Sequence, residues 1–176
     1  IDEWPVPHAA AAVIHRDTVI ATHGETDRVF RLASISKVLA GWTCLIAVEE
    51  GSISLDDAVG PPGSTLRHCL AHAAGYGFDT ATPIMGVGKR RIYSNTGIEI
   101  AATHVAERTG LMFADYMNEA IFEPLGMSDT SLKASPAYAV FSTVHDMTLF
   151  MKELLNPSLI SATTAQEAIT VHYSEL

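Results

Sequence analysis

The stretch Phe30-Arg31-Leu32-Ala33-Ser34-Ile35-Ser36-Lys37 runs into an apolar block, Val38–Glu50, and the reading of that junction decides the fold. In the block, Leu39, Trp42, Leu45, Ile46 and Val48 fall on every face of a helix, so the helix belongs in the middle of a domain, covered on all sides. Gly51 follows as its C-cap. The octapeptide opens this buried helix and sets Ser34 and Lys37 three residues apart, on one helical face, with Cβ atoms about 5–6 Å apart. A serine hydroxyl is a poor nucleophile until a neighbour takes its proton. A lysine takes it only when neutral. Here the positive end of a helix and apolar surroundings both work against the ammonium. The plainer alternative is a serine N-cap with a lysine that merely flanks a core helix. Thr130-Ser131-Leu132-Lys133 imitates the spacing but begins with threonine.

Towards the N-terminus, Ala9–Ile14 and Thr18–Ala21 are short apolar runs separated by His15-Arg16-Asp17, the pattern of a hairpin. Towards the C-terminus, Ser52–Gly63 is rich in turn residues, and Ser64–Ala73 predicts a short helix ended by Gly75-Tyr76-Gly77. Helical patterns follow at Thr96–Thr109, Met112–Phe122, Val144–Leu155 and Ala162–Val171. Asn95 is placed to cap the first of these, and Thr143 with Asp146 has capping-box spacing for the third. A two-stranded ribbon is marginal alone and leaves both edges open. Either helices cover it or further strands lie beyond Leu176 in a longer chain, and the second is the expectation.

Just ahead of the Thr96–Thr109 helix stands Tyr93-Ser94-Asn95. A phenol can share a proton with a lysine, and a side-chain amide can fix either a substrate carbonyl or the lysine itself. Tyr116-Met117-Asn118 has the same spelling, but Phe113, Met117, Ala120 and Ile121 around it have the spacing of an ordinary amphipathic helix. Tyr93 instead ends a loop, where functional side chains tend to be presented, and is preferred.

Composition narrows the classes. The chain has 176 residues, 48% of them hydrophobic, enough to bury a core and too apolar for disorder. With 11 Lys+Arg against 20 Asp+Glu the net charge is −9, which argues against nucleic acid and against an anionic membrane surface. No apolar run reaches the ~18–20 residues of a membrane span. Cys44 and Cys69 lie in apolar helical text and read as buried free thiols. No charged stretch followed by an apolar run opens the chain, which favours a cytoplasmic setting, although Ile1 in place of Met implies that something upstream was removed and leaves export open. His68 and His72 have the spacing of a metal pair without the glutamate of H-E-x-x-H, and no metal is expected. Lys89-Arg90-Arg91 reads as a solvated loop.

Ser34-x-x-Lys37 followed by Tyr93-Ser94-Asn95 resembles the serine β-lactamase and penicillin-binding-protein superfamily, most closely its branch of class C β-lactamases, D,D-peptidases and family VIII carboxylesterases. Other blocks resemble that family in the expected order: Gly51–Asp57, Leu66–Gly75, Glu123–Thr130 (E-P-L-G-M-S-D-T), then Ser142–Met147 and Leu154-Leu155-Asn156. His72-Ala73-Ala74-Gly75 departs from the family's H-T-S-G.

The resemblance implies an α/β (α+β) fold in which a helical region packs with an antiparallel sheet. It makes Ser34 the acylated nucleophile, Lys37 and Tyr93 its base and proton shuttle, and Asn95 a contact for the substrate's acyl amide. The backbone N–H of Ser34 supplies half an oxyanion hole, a group worth about 3–4 kcal/mol. The family's third motif, K-T-G or H-x-G, does not occur, so residues 1–176 read as one such domain incomplete at its C-terminus, with the last strands missing. The implied partner is a small ester or amide substrate, with no cofactor. Open sheet edges point to association with the missing segment or with a second copy. A non-catalytic binding or regulatory member, or an inactive fragment, is the competing expectation.

Overall fold

The computed structural model describes residues 1–176. Ala10–His15 (β1) and Thr18–Gly24 (β2) form the expected antiparallel hairpin, turned at Arg16-Asp17 with Arg16 at φ 58°. The second strand runs three residues past the apolar pattern, because pairing continues through Thr22 and His23 to set Gly24 opposite Ala10. Only glycine suits that last position: φ is 79°, and a Cβ there would lie 2.1 Å from the Ala9 carbonyl oxygen.

Phe30–Arg31 (β3) corrects the sequence reading, for it is a strand and not the opening of the helix. It pairs antiparallel with Val140–Ser142 (β5), which also pairs with Ser131–Leu132 (β4), in the order β3-β5-β4. Strands of two or three residues are too short to show alternation, so none of the three was legible.

A turn of 3₁₀ helix at Ala33–Ile35 joins β3 to Ser36–Glu49 (α1), the apolar helix. Leu39, Ala40, Trp42, Thr43, Cys44, Leu45, Ile46 and Ala47 are all buried, which places α1 at the centre of the core as its lack of a polar face requires. Against it pack Asn95–Thr109 (α3) and Phe113–Met117 (α4), and α3 also packs on Leu66–Leu70 (α2). Burial pushes the Cys44 thiol up to about 12 and the Cys69 thiol up to about 11, so both stay protonated inside the core.

The pattern at Met112–Phe122 divides into α4 and a π-helical turn at Asn118–Phe122, and helix continues past it through Glu123–Leu125 (α5). Val144–Leu155 (α6) has the expected bounds, with the Thr143 hydroxyl accepting the Asp146 N–H at 3.0 Å. The last helix, Ala162–Ala168 (α7), stops three residues short of the expectation. No helix is long and apolar enough to cross a membrane.

Candidate active site

Four segments meet at the N-terminal end of α1. The hydrogen bond from Leu32 N–H to Val140 O (2.9 Å) ties the end of β3 to β5, and the chain then turns sharply through Ala33, at φ 47°. The turn leaves Ser34 exposed, while Lys37, one turn on, is buried. Ser34 caps nothing: the residue before α1 is Ile35, and no side chain closes the helix start.

The Ser34 hydroxyl instead accepts a hydrogen bond from Lys37 Nζ at 3.2 Å. Lys37 Nζ also donates to Asn95 Oδ1 at 2.6 Å and to the Ala137 carbonyl at 2.9 Å. Three acceptors match the three N–H bonds of an ammonium. The lysine is buried as the apolar helix predicts, but its head lies among oxygens, which periodicity does not reveal. Ala137 belongs to the turn before β5, held by Ser135 Oγ, which accepts the Ala137 N–H at 3.2 Å and donates to Glu99 Oε1 at 2.5 Å.

Tyr93 lies over the pair. Lys37 Nζ is 4.7 Å from its ring centroid, and the ring sits between His72 (4.7 Å, tilted) and Phe78 (6.2 Å, stacked). Burial is the largest single influence on the phenol and pushes it up, but the Ser34 hydroxyl, the Lys37 ammonium and the charge of Lys37 together hold it below the ordinary tyrosine value. The competing Tyr116 lies elsewhere, buried against α1, where it donates to Glu50 Oε2 at 2.6 Å. Burial, the Glu50 bond and the Glu50 charge hold its phenol far above the normal range, so it has no means of taking a proton. Thr130 and Lys133, the imitators of the Ser–Lys spacing, are also separate: Thr130 donates to Asp146, and Lys133 lies 5.0 Å from the Phe141 ring centroid.

The start of α3 departs from the sequence reading. Ser94, not Asn95, is the cap: its hydroxyl accepts the Gly97 N–H at 3.1 Å and donates to Gly77 O at 2.8 Å. Asn95 is the first helical residue, which frees its side chain. Its Oδ1 takes the lysine, and its Nδ2 donates to Asp79 Oδ1 at 2.8 Å. The amide thus makes the lysine contact through Oδ1.

His72 Nδ1 accepts the Ser94 N–H at 3.1 Å, and burial, then the charges of Lys37 and Arg91, push this imidazole down to about 4. The ring is therefore neutral near pH 7, with its proton on Nε2. His68 Nδ1 faces Thr65, 2.8 Å from the hydroxyl, and its ring stacks on Tyr173. The two imidazoles thus turn to different partners. Lys89, Arg90 and Arg91 are exposed, as expected of a solvated loop, and Arg91 also donates to Ala71 O at 2.9 Å, His172 O at 2.5 Å and Tyr173 O at 3.2 Å, fastening the end of the chain beside the site.

Ser34, Lys37, His72 and Tyr93 border a cavity of about 1050 Å³ that runs on between Val38, Trp42, Leu45, Leu155 and Ile169. Asp79, the Ala137 carbonyl and the turn at Ala33 escaped sequence reasoning, since none belongs to a motif and each depends on a contact distant in the chain or on backbone geometry.

The family model described as Beta-lactamase matches residues 3–174. Penicillin-binding protein 4* of Bacillus subtilis (strain 168) is 27% identical, over 74% of this chain and 38% of that protein. A beta-lactamase of Escherichia coli (strain K12) is 23% identical, over 99% of this chain and 63% of that one. The crystal structure of a beta-lactamase from Mycobacterium bovis is 45% identical and superposes with a TM-score of 0.97, covering 99% of this chain and 65% of that one. The chain thus spans less than two-thirds of the length of each of these relatives.

Proposed function

The chain belongs to the beta-lactamase family, and on that premise we propose that it is a serine acyl hydrolase acting on ester or amide bonds through an acyl-enzyme on Ser34. One observation carries the reading: an exposed serine hydroxyl stands 3.2 Å from a buried lysine whose ammonium lies 4.7 Å from the centroid of an adjacent tyrosine ring. Lys37 and Tyr93 share the handling of the proton. With all three Lys37 N–H bonds directed at acceptors, Lys37 acts chiefly as the positive charge that favours a phenolate, and Tyr93 as the base.

As the bond from Ser34 Oγ to the carbonyl carbon forms, the hydroxyl proton moves to the Tyr93 oxygen. As the C–O or C–N bond breaks, that proton goes to the leaving alcohol or amine. Water then repeats the sequence on the acyl-enzyme and releases the acid. Asn95 holds Lys37 in register and takes part in substrate binding at the acyl amide.

The names of the relatives direct attention to β-lactams among the amides. Esterase, D-amino-acid peptidase and β-lactamase activity all run on the same residues, and the cavity walls choose among them. Intact-mass spectrometry after incubation with a fluorophosphonate and with a penicillin tests the reading. A single adduct mapped to Ser34 and absent from Ser34→Ala is the expected result, and a chain that takes no adduct from either reagent rejects it. Rates on p-nitrophenyl esters, nitrocefin and D-amino-acid amides then rank the substrate classes.

A further inference from the structure

The loop Gly77–Thr80 is fastened onto the first turn of α3 by bonds that hardly involve its own side chains. Ser94 Oγ donates to Gly77 O at 2.8 Å and Asn95 N–H to Phe78 O at 2.7 Å, while the loop closes on itself through Gly77 N–H to Thr80 Oγ1 at 2.8 Å. A Cβ at Gly77 would lie 2.8 Å from Thr80 Cγ2, so any larger residue there makes the Thr80 side chain shift. The fixed loop carries an exposed carboxylate, Asp79, to 2.8 Å from Asn95 Nδ2.

An asparagine amide has an acceptor end and a donor end that occupy nearly the same space. In one orientation Asn95 offers Oδ1 to the Lys37 ammonium; in the other it offers N–H bonds to a group that also only donates. A carboxylate only accepts. Placed at the far end of the amide, it admits the first orientation and excludes the second, and its charge strengthens the bond that does so. We propose that Asp79 is a positioning residue that fixes the Asn95 amide and, through it, holds the Lys37 ammonium against Ser34. Its effect on rate rests on the acylation reading given above; its effect on Asn95 does not.

Two variants separate the role from its alternatives. Asp79→Ala removes the acceptor, whereas Asp79→Asn removes the charge and keeps an acceptor. In ¹⁵N-labelled chain, the side-chain amide resonances of Asn95, assigned by their loss in Asn95→Gln, are expected to move to free-amide positions in Asp79→Ala and to stay near wild type in Asp79→Asn. The second-order rate of fluorophosphonate labelling at Ser34 is expected to fall about tenfold in Asp79→Ala and to recover to within about threefold in Asp79→Asn. Unmoved amide resonances or an undiminished rate in Asp79→Ala overturns the proposal, as does an equal loss in the two variants, which would make the charge and not the orientation decisive. Should wild-type chain take no label, the acylation reading fails by itself, and the amide spectra alone decide the role of Asp79.

Discussion

Ala33 holds a left-handed backbone, φ 47°, immediately before Ser34. For a residue with a Cβ this costs about 1–2 kcal/mol, and it persists because β3 pairing fixes one side of the residue and the 3₁₀ turn the other. Ala33→Gly removes that cost while adding about 0.5–1 kcal/mol of backbone entropy to the unfolded chain. The unfolding free energy from a urea melt is therefore expected to hold or rise, and a fall of about 1 kcal/mol, the usual result of Ala→Gly in a regular element, would contradict the account. Tyr93 supports a prediction about pH. Its phenol is raised most by burial, but the opposing influences of Ser34 and Lys37 are larger together, and the phenolate forms below the ordinary value of 10.0. A base works in its deprotonated form, so Ser34 labelling should accelerate as pH rises, with a midpoint under 10.0. Tyr93→Phe should lose that limb and fall by about 10²–10⁴ in rate. A wild-type profile flat from pH 6 to 10, or a limb retained in Tyr93→Phe, assigns the proton to another group.

Helix α6 shows what the sequence revealed at the scale of an element and what it hid. Its bounds were legible because Val144–Leu155 is long, periodic and preceded by Thr143, whose hydroxyl meets the Asp146 N–H. The Asp146 side chain was not. Its carboxylate, 1% exposed, accepts the Asp129 N–H and the Thr130 hydroxyl, both at 2.8 Å, and so ties α6 to the turn that leads into β4. Local pattern finds periodicity and caps within a few residues; it has no access to partners that many residues bring together. The same boundary runs through the site. Ser34, Lys37, Tyr93 and Asn95, which the structure brings together, were singled out by short motifs and their order. Asp79 and the Ala137 carbonyl, which complete the surroundings of Asn95 and Lys37, carry no motif, and β3, read as helix, was too short to declare itself. Asp146→Ala leaves the Asp129 N–H without its acceptor and turns the Thr130 hydroxyl onto Ser142 Oγ, 2.7 Å away, and should cost about 2 kcal/mol in a denaturant melt. A loss under about 1 kcal/mol would mean that water replaces the carboxylate and that the tie between α6 and β4 is weak.

Across the whole molecule, apolar burial is uneven. One core joins α1, α3, α4 and α6, with Leu39, Val105, Met117 and Phe150 fully buried, and no residue of the β1–β2 hairpin belongs to it. The hairpin rests on α6 yet leaves Val13 and Ile20 more than half exposed, with Trp4 and Val6 likewise exposed nearby. Its sheet has only two strands, so both outer edges keep unpaired backbone groups, a template for adding another strand. Opposing this is the net charge of −9, which keeps copies apart by repulsion that salt screens. We propose that the 176-residue chain self-associates through the hairpin, and that added salt promotes rather than weakens the association. Sedimentation velocity over rising protein concentration, at about 0.05 M and about 0.5 M NaCl, should show larger species gaining at the higher salt. Ile20→Lys, which puts a charge on the exposed strand, should restore the monomer. Association that weakens with salt would place the contact on charged surface instead of the hairpin, and a chain that stays monomeric at ~0.1 mM in both buffers would show that two open edges and these exposed side chains fall short of an interface.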